Sequence, residues 1–170
     1  MIKFSPTTDQ LKDTLEHIYY EIAQITETLL PETKNIFVNH ALVEARLIHI
    51  RALLDFFQRS KRRVRNDHEL DDVLSLDYGF TQRIVGVPST YKERLNKDLA
   101  HLTYSRAVRL PSDKPWPHNE VVLPMLTCCM EFGEHLISNF LPMNYSEKLS
   151  DWQVLVDKIK SIQRKFIAKT

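Results

Sequence analysis

The segment 94–101 carries the residue types that could cleave RNA. Arg94 and His101 are seven residues apart, about two helical turns, so a helix would place them on one face with Asp98 and Ser105. A histidine that titrates near neutrality can move a proton, and an arginine can hold a phosphate and stabilise its transition state. The pattern predicts a metal-independent ribonuclease. The alternative is a solvated face on which Arg94 simply pairs with Asp98.

The second long helix offers groups that could support this site. Its polar residues lie within about 60° of one another on a helical wheel: His40, Glu44, Arg51, Asp55 and Gln58. If this stripe faces the third helix, Glu44 or Asp55 could orient His101 or pair with Arg106, which interrupts the leucine face of that helix. If the stripe faces water, it is an ordinary solvated face, and Arg106 emerges into solvent at its helix end.

A basic run follows the second helix. Five cations fall within seven positions: Arg59, Lys61, Arg62, Arg63 and Arg65. Such a run could contact a phosphate backbone, and it is the predicted nucleic-acid-binding segment. The alternative is a solvated helix end, where positive charge is favourable.

Metal and cofactor sites are not expected. His40 and Glu44 have chelating i,i+4 spacing, but His49 lies on the opposite side of the helix. Cys128 and Cys129 are adjacent, which favours reduced thiols over a disulfide framework. With three glycines and no phosphate-cradling motif, the nucleotide-binding α/β folds are disfavoured.

Apolar periodicity and capping signals predict a single all-α domain, residues 1–170, built as a bundle of about five helices. The helices are expected over about 8–30, 35–60, 89–109, 119–140 and 146–168. Irregular segments are expected over about 61–88, with one short helix at 67–74, and over about 110–118, where prolines cluster.

Composition and charge agree with a soluble domain. The 170 residues are 43% hydrophobic and 26% charged, and the charges nearly cancel to +1. This balance argues against a global nucleic-acid or membrane field. No long uninterrupted apolar stretch and no signal peptide are visible, so the sequence predicts a cytoplasmic protein without a membrane span.

The segment Arg94-Leu-Asn-Lys-Asp-Leu-Ala-His101 resembles the R-x(4–6)-H motif of HEPN domains. These small helical bundles occur in toxin–antitoxin, abortive-infection and CRISPR-associated proteins, and many are metal-independent ribonucleases whose motif residues meet across a homodimer interface. The resemblance implies that Arg94 and His101 are the motif pair. Asn96 stands for the polar residue that usually follows the arginine at once, a place that Leu95 holds here. Segments 41–57 and 96–106 also look like parts of uncharacterised bacterial helical proteins.

Together these patterns predict a HEPN-like RNA-binding protein or ribonuclease in a bacterial toxin–antitoxin or phage-defence setting. Arg94 would contact phosphate, His101 would be the acid or base, and Asn96, Ser105, Arg106, Glu44 and Asp55 would support them. The expected partners are RNA and a second copy of the chain. A non-catalytic module that binds another protein is the alternative. A third interpretation, a small-molecule site, requires a cavity near Glu44 and Arg51.

Overall fold

The computed structural model describes residues 1–29, 33–99, 104, 110 and 115–168 of the chain. Within these residues the chain forms an all-α bundle of five helices with one very short hairpin, so the predicted fold class is confirmed. The predicted continuation of the third helix, from residue 100 to 109, lies outside the described residues apart from Tyr104.

The described helices lie close to their predicted positions. They are α1 (Thr8–Glu27), α2 (Ile36–Gln58), α3 (Ser89–Asp98), α4 (His118–Asn144) and α5 (Leu149–Ile167). In the described residues, α1 packs against α2 and α5, α4 packs against α5 and α2, and α3 lies against α2.

The first two helices begin where their capping residues predict. Thr7 and Gln10 form a reciprocal capping box at the start of α1, which satisfies two backbone N–H groups. Asn35 accepts from two backbone N–H groups at the start of α2. Thr90 and Glu93 also have the sequence spacing of a capping box, but they do not cap α3, because this helix begins at Ser89, directly after Pro88, without a side-chain cap.

The centre of the bundle is aromatic. Phe132, in the middle of α4, is fully buried. Five rings meet it edge-on at centroid distances of 5.2–6.0 Å: Phe56, Phe57, Tyr78, Phe80 and Trp152. Edge-to-face pairs of this kind add to the burial energy of the rings, so this cluster joins α2, α4, α5 and the segment before α3 into one core.

α4 is a continuous helix whose hydrogen bonding changes along its length. Two π-helical turns, His118–Val122 and Leu136–Phe140, flank the α-helical stretch Leu123–His135. π-Helical turns widen a helix locally and are frequent at functional sites. The first of these turns begins at His118, which lines the cleft described below.

By length and composition, α4 is also apolar enough to cross a membrane. Within the bundle, 50% of its most apolar window is buried. No other helix among the described residues meets the same test.

The segment between α2 and α3 differs from its prediction. One short helix was expected in this segment, at 67–74. The segment does contain a short 3-10 helix, but it lies at Ser75–Tyr78, so the predicted position is wrong. Val64–Arg65 and His68–Glu69 form a two-stranded antiparallel hairpin instead, joined by Asn66 and Asp67 with φ angles of 50° and 62°. Asn and Asp tolerate positive φ, which a two-residue hairpin turn requires, so this local turn chemistry outweighed the helical pattern.

Candidate functional site

A cleft opens between α2, the start of α4 and the residues just before it. Its volume is about 490 Å³, within the usual range for small-molecule sites. Four polar side chains line the cleft: His40, Glu44, Arg46 and His118. The apolar lining comes from Val43, Leu47, Val122, Pro115 and Trp116. Few polar groups on largely apolar walls are the usual composition of a ligand site.

Arg46 forms the floor of the cleft and is only 6% exposed. Its Nε donates to Thr28 Oγ1 at 3.3 Å, and one terminal nitrogen donates to the Thr28 carbonyl. The other terminal nitrogen lies 3.2 Å from His118 Nε2. Among the described residues, no carboxylate forms an ion pair with this guanidinium, so a buried positive charge is held by neutral groups alone.

His118 lies beside Arg46 as a neutral imidazole. A guanidinium can only donate, so the His118 Nε2 must accept and the ring proton must sit on Nδ1. Burial and the adjacent positive charge of Arg46 lower the pKa of His118 below its ordinary value. The Phe166 ring of α5 meets the imidazole edge-on at 5.2 Å.

The charge of Arg46 persists at neutral pH. Burial lowers the pKa of its guanidinium to about 10. That value is still well above neutrality, so the floor of the cleft remains cationic while His118 beside it is uncharged.

Arg94 lies directly behind one wall of the cleft. The guanidinium carbon of Arg94 is 4.0 Å from the ring centroid of Trp116. Nη1 of the same guanidinium donates to the Pro115 carbonyl at 3.3 Å. The predicted ion pair with Asp98 is present at 3.6 Å. Both side chains are only 11% exposed, so the alternative of a solvated face is wrong for this pair. Trp116 and Pro115, which cover it, are too distant in sequence for helical periodicity to reveal.

The polar stripe of α2 divides between two places. Glu44 and His40 stand exposed at the cleft. Further along, Arg51 Nε donates to Asn96 Oδ1 at 3.0 Å, so this part of the stripe faces α3. The stripe therefore faces both the cleft and the third helix.

A smaller cavity of about 120 Å³ lies between α2 and α3, and Arg51, Asp55 and Asn96 line it. Asp55 pairs there with Arg59 at 3.1 Å and is largely exposed. The cavity near Glu44 and Arg51 that the small-molecule interpretation required is thus two cavities, with Glu44 in the large one and Arg51 in the small one.

Most of the basic run is neutralised by carboxylates. Arg59 pairs with Asp55, Arg62 with Asp77, and Arg63 with both oxygens of Asp72. Lys61 and Arg65 are exposed and form no ion pair with other described residues. The run also follows the last residue of α2 and continues into the hairpin. Its local field is consequently weaker than the sequence suggests, and nucleic-acid binding by this run stays a prediction.

Three predicted site residues, His101, Ser105 and Arg106, lie outside the described residues. Two residues of the cleft were missed as site residues: Arg46 and His118. For Arg46 a signal was present, because it shares the buried face of α2 with Ile50, Leu53 and Phe57 at helical spacing. A charge on that face needs a partner or a ligand. His118 carries no comparable signal, since it follows an irregular proline-rich segment.

Within the described residues, no group of three or more His, Cys, Asp or Glu side chains could hold a metal ion. Comparisons with protein-family models, with curated proteins and with solved structures found no match to this chain. The HEPN resemblance therefore stays a prediction.

Proposed function

We propose that the protein is an RNA-binding domain that binds a nucleotide in the cleft. More specifically, we propose that it is a HEPN-like, metal-independent endoribonuclease. The observation that carries the proposal is the position of Trp116. The Arg94 guanidinium carbon lies over the face of its ring, 4.0 Å from the ring centroid, and the side chain also lines the cleft.

This arrangement suits single-stranded RNA. Unstacked bases bind proteins by stacking on aromatic rings, and each such stack contributes about 1–3 kcal/mol. Arg94, braced by Asp98 and by Tyr91 at 5.3 Å, holds Trp116 from behind. A fixed ring loses little freedom when a base stacks on it, so the platform is preorganised.

In the ribonuclease form of the proposal, His101 assists 2′-OH attack or protonates the leaving group. Arg94 is only 11% exposed in the single chain, so this form requires it to move out from behind Trp116 before it stabilises charge on the phosphorane. A second copy of the chain would complete the site, as the HEPN resemblance implies. The cytoplasm of a bacterium, in a toxin–antitoxin or phage-defence system, is the proposed setting.

RNA binding is tested by titrating a labelled single-stranded RNA with wild type, Trp116→Ala and Trp116→Phe. We expect Trp116→Ala to weaken binding roughly 5- to 150-fold, the loss of about one stacked base, and Trp116→Phe to retain most of the affinity. Tyr20→Ala is the control, because it removes an exposed ring that does not line the cleft. Equal RNA affinity of wild type and Trp116→Ala would refute the proposal that a base stacks on Trp116.

Catalysis is tested separately, by incubating mixed RNA with the protein in EDTA beside a His101→Ala variant. Cleavage by wild type alone, with 2′,3′-cyclic phosphate ends, is the expected result. RNA binding without any cleavage, in a folded sample whose oligomeric state is known, would refute the nuclease proposal. The proposal of an RNA-binding protein would then remain.

A second candidate is a non-catalytic protein-interaction module. The start of α2 favours it, because Ile36, Phe37 and Val38 are 59%, 80% and 44% exposed. Clustered exposed apolar side chains are typical of interaction surfaces. If this surface joins two copies of the chain, Phe37→Ser will lower the mass measured by sedimentation equilibrium from dimer to monomer. A monomeric wild type would exclude this self-association.

A further inference from the structure

The floor of the cleft holds a positive charge that its surroundings do not fully compensate. Burying an unpaired ion costs several kcal/mol, so buried arginines normally have an acidic partner. Arg46 has only the Thr28 side chain and carbonyl and the neutral imidazole of His118 among the described residues.

Part of this arrangement is structural. Thr28 is the C-cap of α1, so Arg46 reaches the carbonyl end of that helix, where the helix dipole is equivalent to about half a negative charge. This accounts for Nε and one terminal nitrogen of the guanidinium. It leaves the guanidinium without a full counter-charge among the described residues, and it does not explain why the other terminal nitrogen is directed to a histidine at the cleft.

The donors of Arg46 are also incompletely used. A guanidinium has five N–H groups, and the three contacts described above engage three of them. One N–H remains on each terminal nitrogen. Two neighbouring donors with a fixed spacing match the two oxygens of a phosphate or carboxylate, which arginine binds bidentately.

The rest of the cleft indicates the size and nature of the ligand. A volume of about 490 Å³ is much larger than an inorganic oxyanion needs. Val43, Leu47, Val122 and Trp116 provide apolar and aromatic surface above the charged floor. A ligand with a charged group at one end and a flat, weakly polar body at the other satisfies both parts.

We propose that Arg46 anchors the phosphate of a small phosphorylated ring compound, of the nucleoside monophosphate class, whose ring occupies the apolar part of the cleft beside Trp116. The inference rests on the cleft itself and stands whether or not the protein binds or cleaves RNA. The phosphate could belong to a free nucleotide or to the terminal nucleotide of an RNA chain.

Glu44 provides an independent check on the sign of the charge that the ligand carries. Its carboxylate is exposed on the cleft and makes no ion pair with Arg46, so it repels an incoming phosphate. Neutralising it by Glu44→Gln should strengthen phosphate binding. A purely structural arginine would produce no such effect.

The experiment is isothermal titration of the full chain with AMP, adenosine and inorganic phosphate, without RNA. Wild type is expected to bind AMP at least about tenfold more tightly than it binds adenosine or phosphate alone, because AMP engages both the floor and the walls. Arg46→Gln keeps donors for Thr28 but removes the charge, and should weaken AMP binding about tenfold or more, the usual order for a charged hydrogen bond. Glu44→Gln should bind AMP two- to fivefold more tightly, on the order of an exposed charge interaction.

Arg83→Gln is the matched control, since it removes the charge of an exposed arginine outside the cleft and should leave AMP binding unchanged. Each variant is compared by circular dichroism and by its own melting temperature without ligand. If Arg46→Gln does not fold, the AMP titration of Glu44→Gln tests the proposal in its place. Absence of AMP binding by wild type overturns the proposal, as does unchanged affinity in Arg46→Gln or weaker affinity in Glu44→Gln.

A short RNA carrying a 5′-phosphate, titrated beside the same RNA with a 5′-hydroxyl, separates the two sources of phosphate. AMP binding with no preference for the phosphorylated RNA assigns the site to free nucleotides. Tighter binding of the phosphorylated RNA assigns it to an RNA end. AMP binding in a protein that binds no RNA leaves this inference intact while refuting the proposed function.

Discussion

Three buried or nearly buried arginines of this protein are stabilised in different ways. Arg62 has a carboxylate partner in Asp77, and Arg94 has Asp98 together with the rings of Tyr91 and Trp116. Arg46 is surrounded by neutral groups. At the residue scale, the kind of partner therefore separates a structural arginine from one that is available to a ligand.

Removing Asp77 tests whether a buried arginine with a carboxylate partner stabilises the fold. Asp77 accepts from Arg62 and from the backbone N–H of Leu74, and both members of the ion pair are about nine-tenths buried. We expect Asp77→Ala to reduce the free energy of unfolding in urea by about 3 kcal/mol, because it leaves Arg62 buried without a partner. Asp55→Ala, which breaks an exposed pair, should cost less than about 1 kcal/mol. Similar losses in the two variants would contradict this distinction.

Among the helices, α4 and α5 approach each other closely at Gly133. Gly133 of α4 faces Trp152 and Val156 of α5, and a Cβ atom at position 133 would lie 2.5 Å from Val156 Cγ2. Glycine is normally unfavourable inside a helix, so here it is the contact between helices that requires it. That contact sets the spacing of the two helices around the aromatic core.

Adding a methyl group at Gly133 should push these helices apart. We expect Gly133→Ala to lower the free energy of unfolding by about 1–3 kcal/mol, even though alanine favours the helix by about 1 kcal/mol. Val156→Ala in the same chain should recover part of the loss by making room. Gly86→Ala is the control, because its Cβ would meet only Pro124 at 3.7 Å. A neutral or stabilised Gly133→Ala variant would show that the helices can shift freely.

At the scale of the whole molecule, the bundle encloses both cysteines. Cys128 and Cys129 are 5% and 1% exposed. Burial raises the pKa of Cys128 to about 12 and that of Cys129 well above its ordinary value. Access and ionisation both oppose reaction of these thiols, so their labelling reports the opening of the core as a whole.

We expect a disulfide reagent at pH 8 to label native protein at least about a thousandfold more slowly than urea-unfolded protein, as the small unfolded fraction of a stable domain implies. A Ser150→Cys variant, with its added thiol on an exposed position of α5, should show one additional fast-reacting group. Rapid labelling of both native thiols would show that α4 separates from the core without global unfolding.

Among the described residues, local patterns in the sequence predict the number of helices, most of their approximate limits and most of the buried positions. Apolar periodicity and local capping, as at Thr7 and Asn35, act over a few residues and can be recognised without knowing the fold. Arg94–Asp98 was predictable for the same reason. The hairpin at 64–69 was missed because two residues with positive φ decided it, against a helical pattern nearby.

The location of the cleft and the partners of its residues depend on how the helices pack and cannot be read from local patterns. Arg46 meets Thr28 and His118, which are 18 and 72 residues away, and Trp116 covers Arg94 from a separate segment. Such contacts depend on how helices are packed, since a side chain's partner, burial and charge state follow from the neighbouring element. Helical periodicity identifies the face on which a residue lies, but packing determines whether that face meets core, solvent or a ligand.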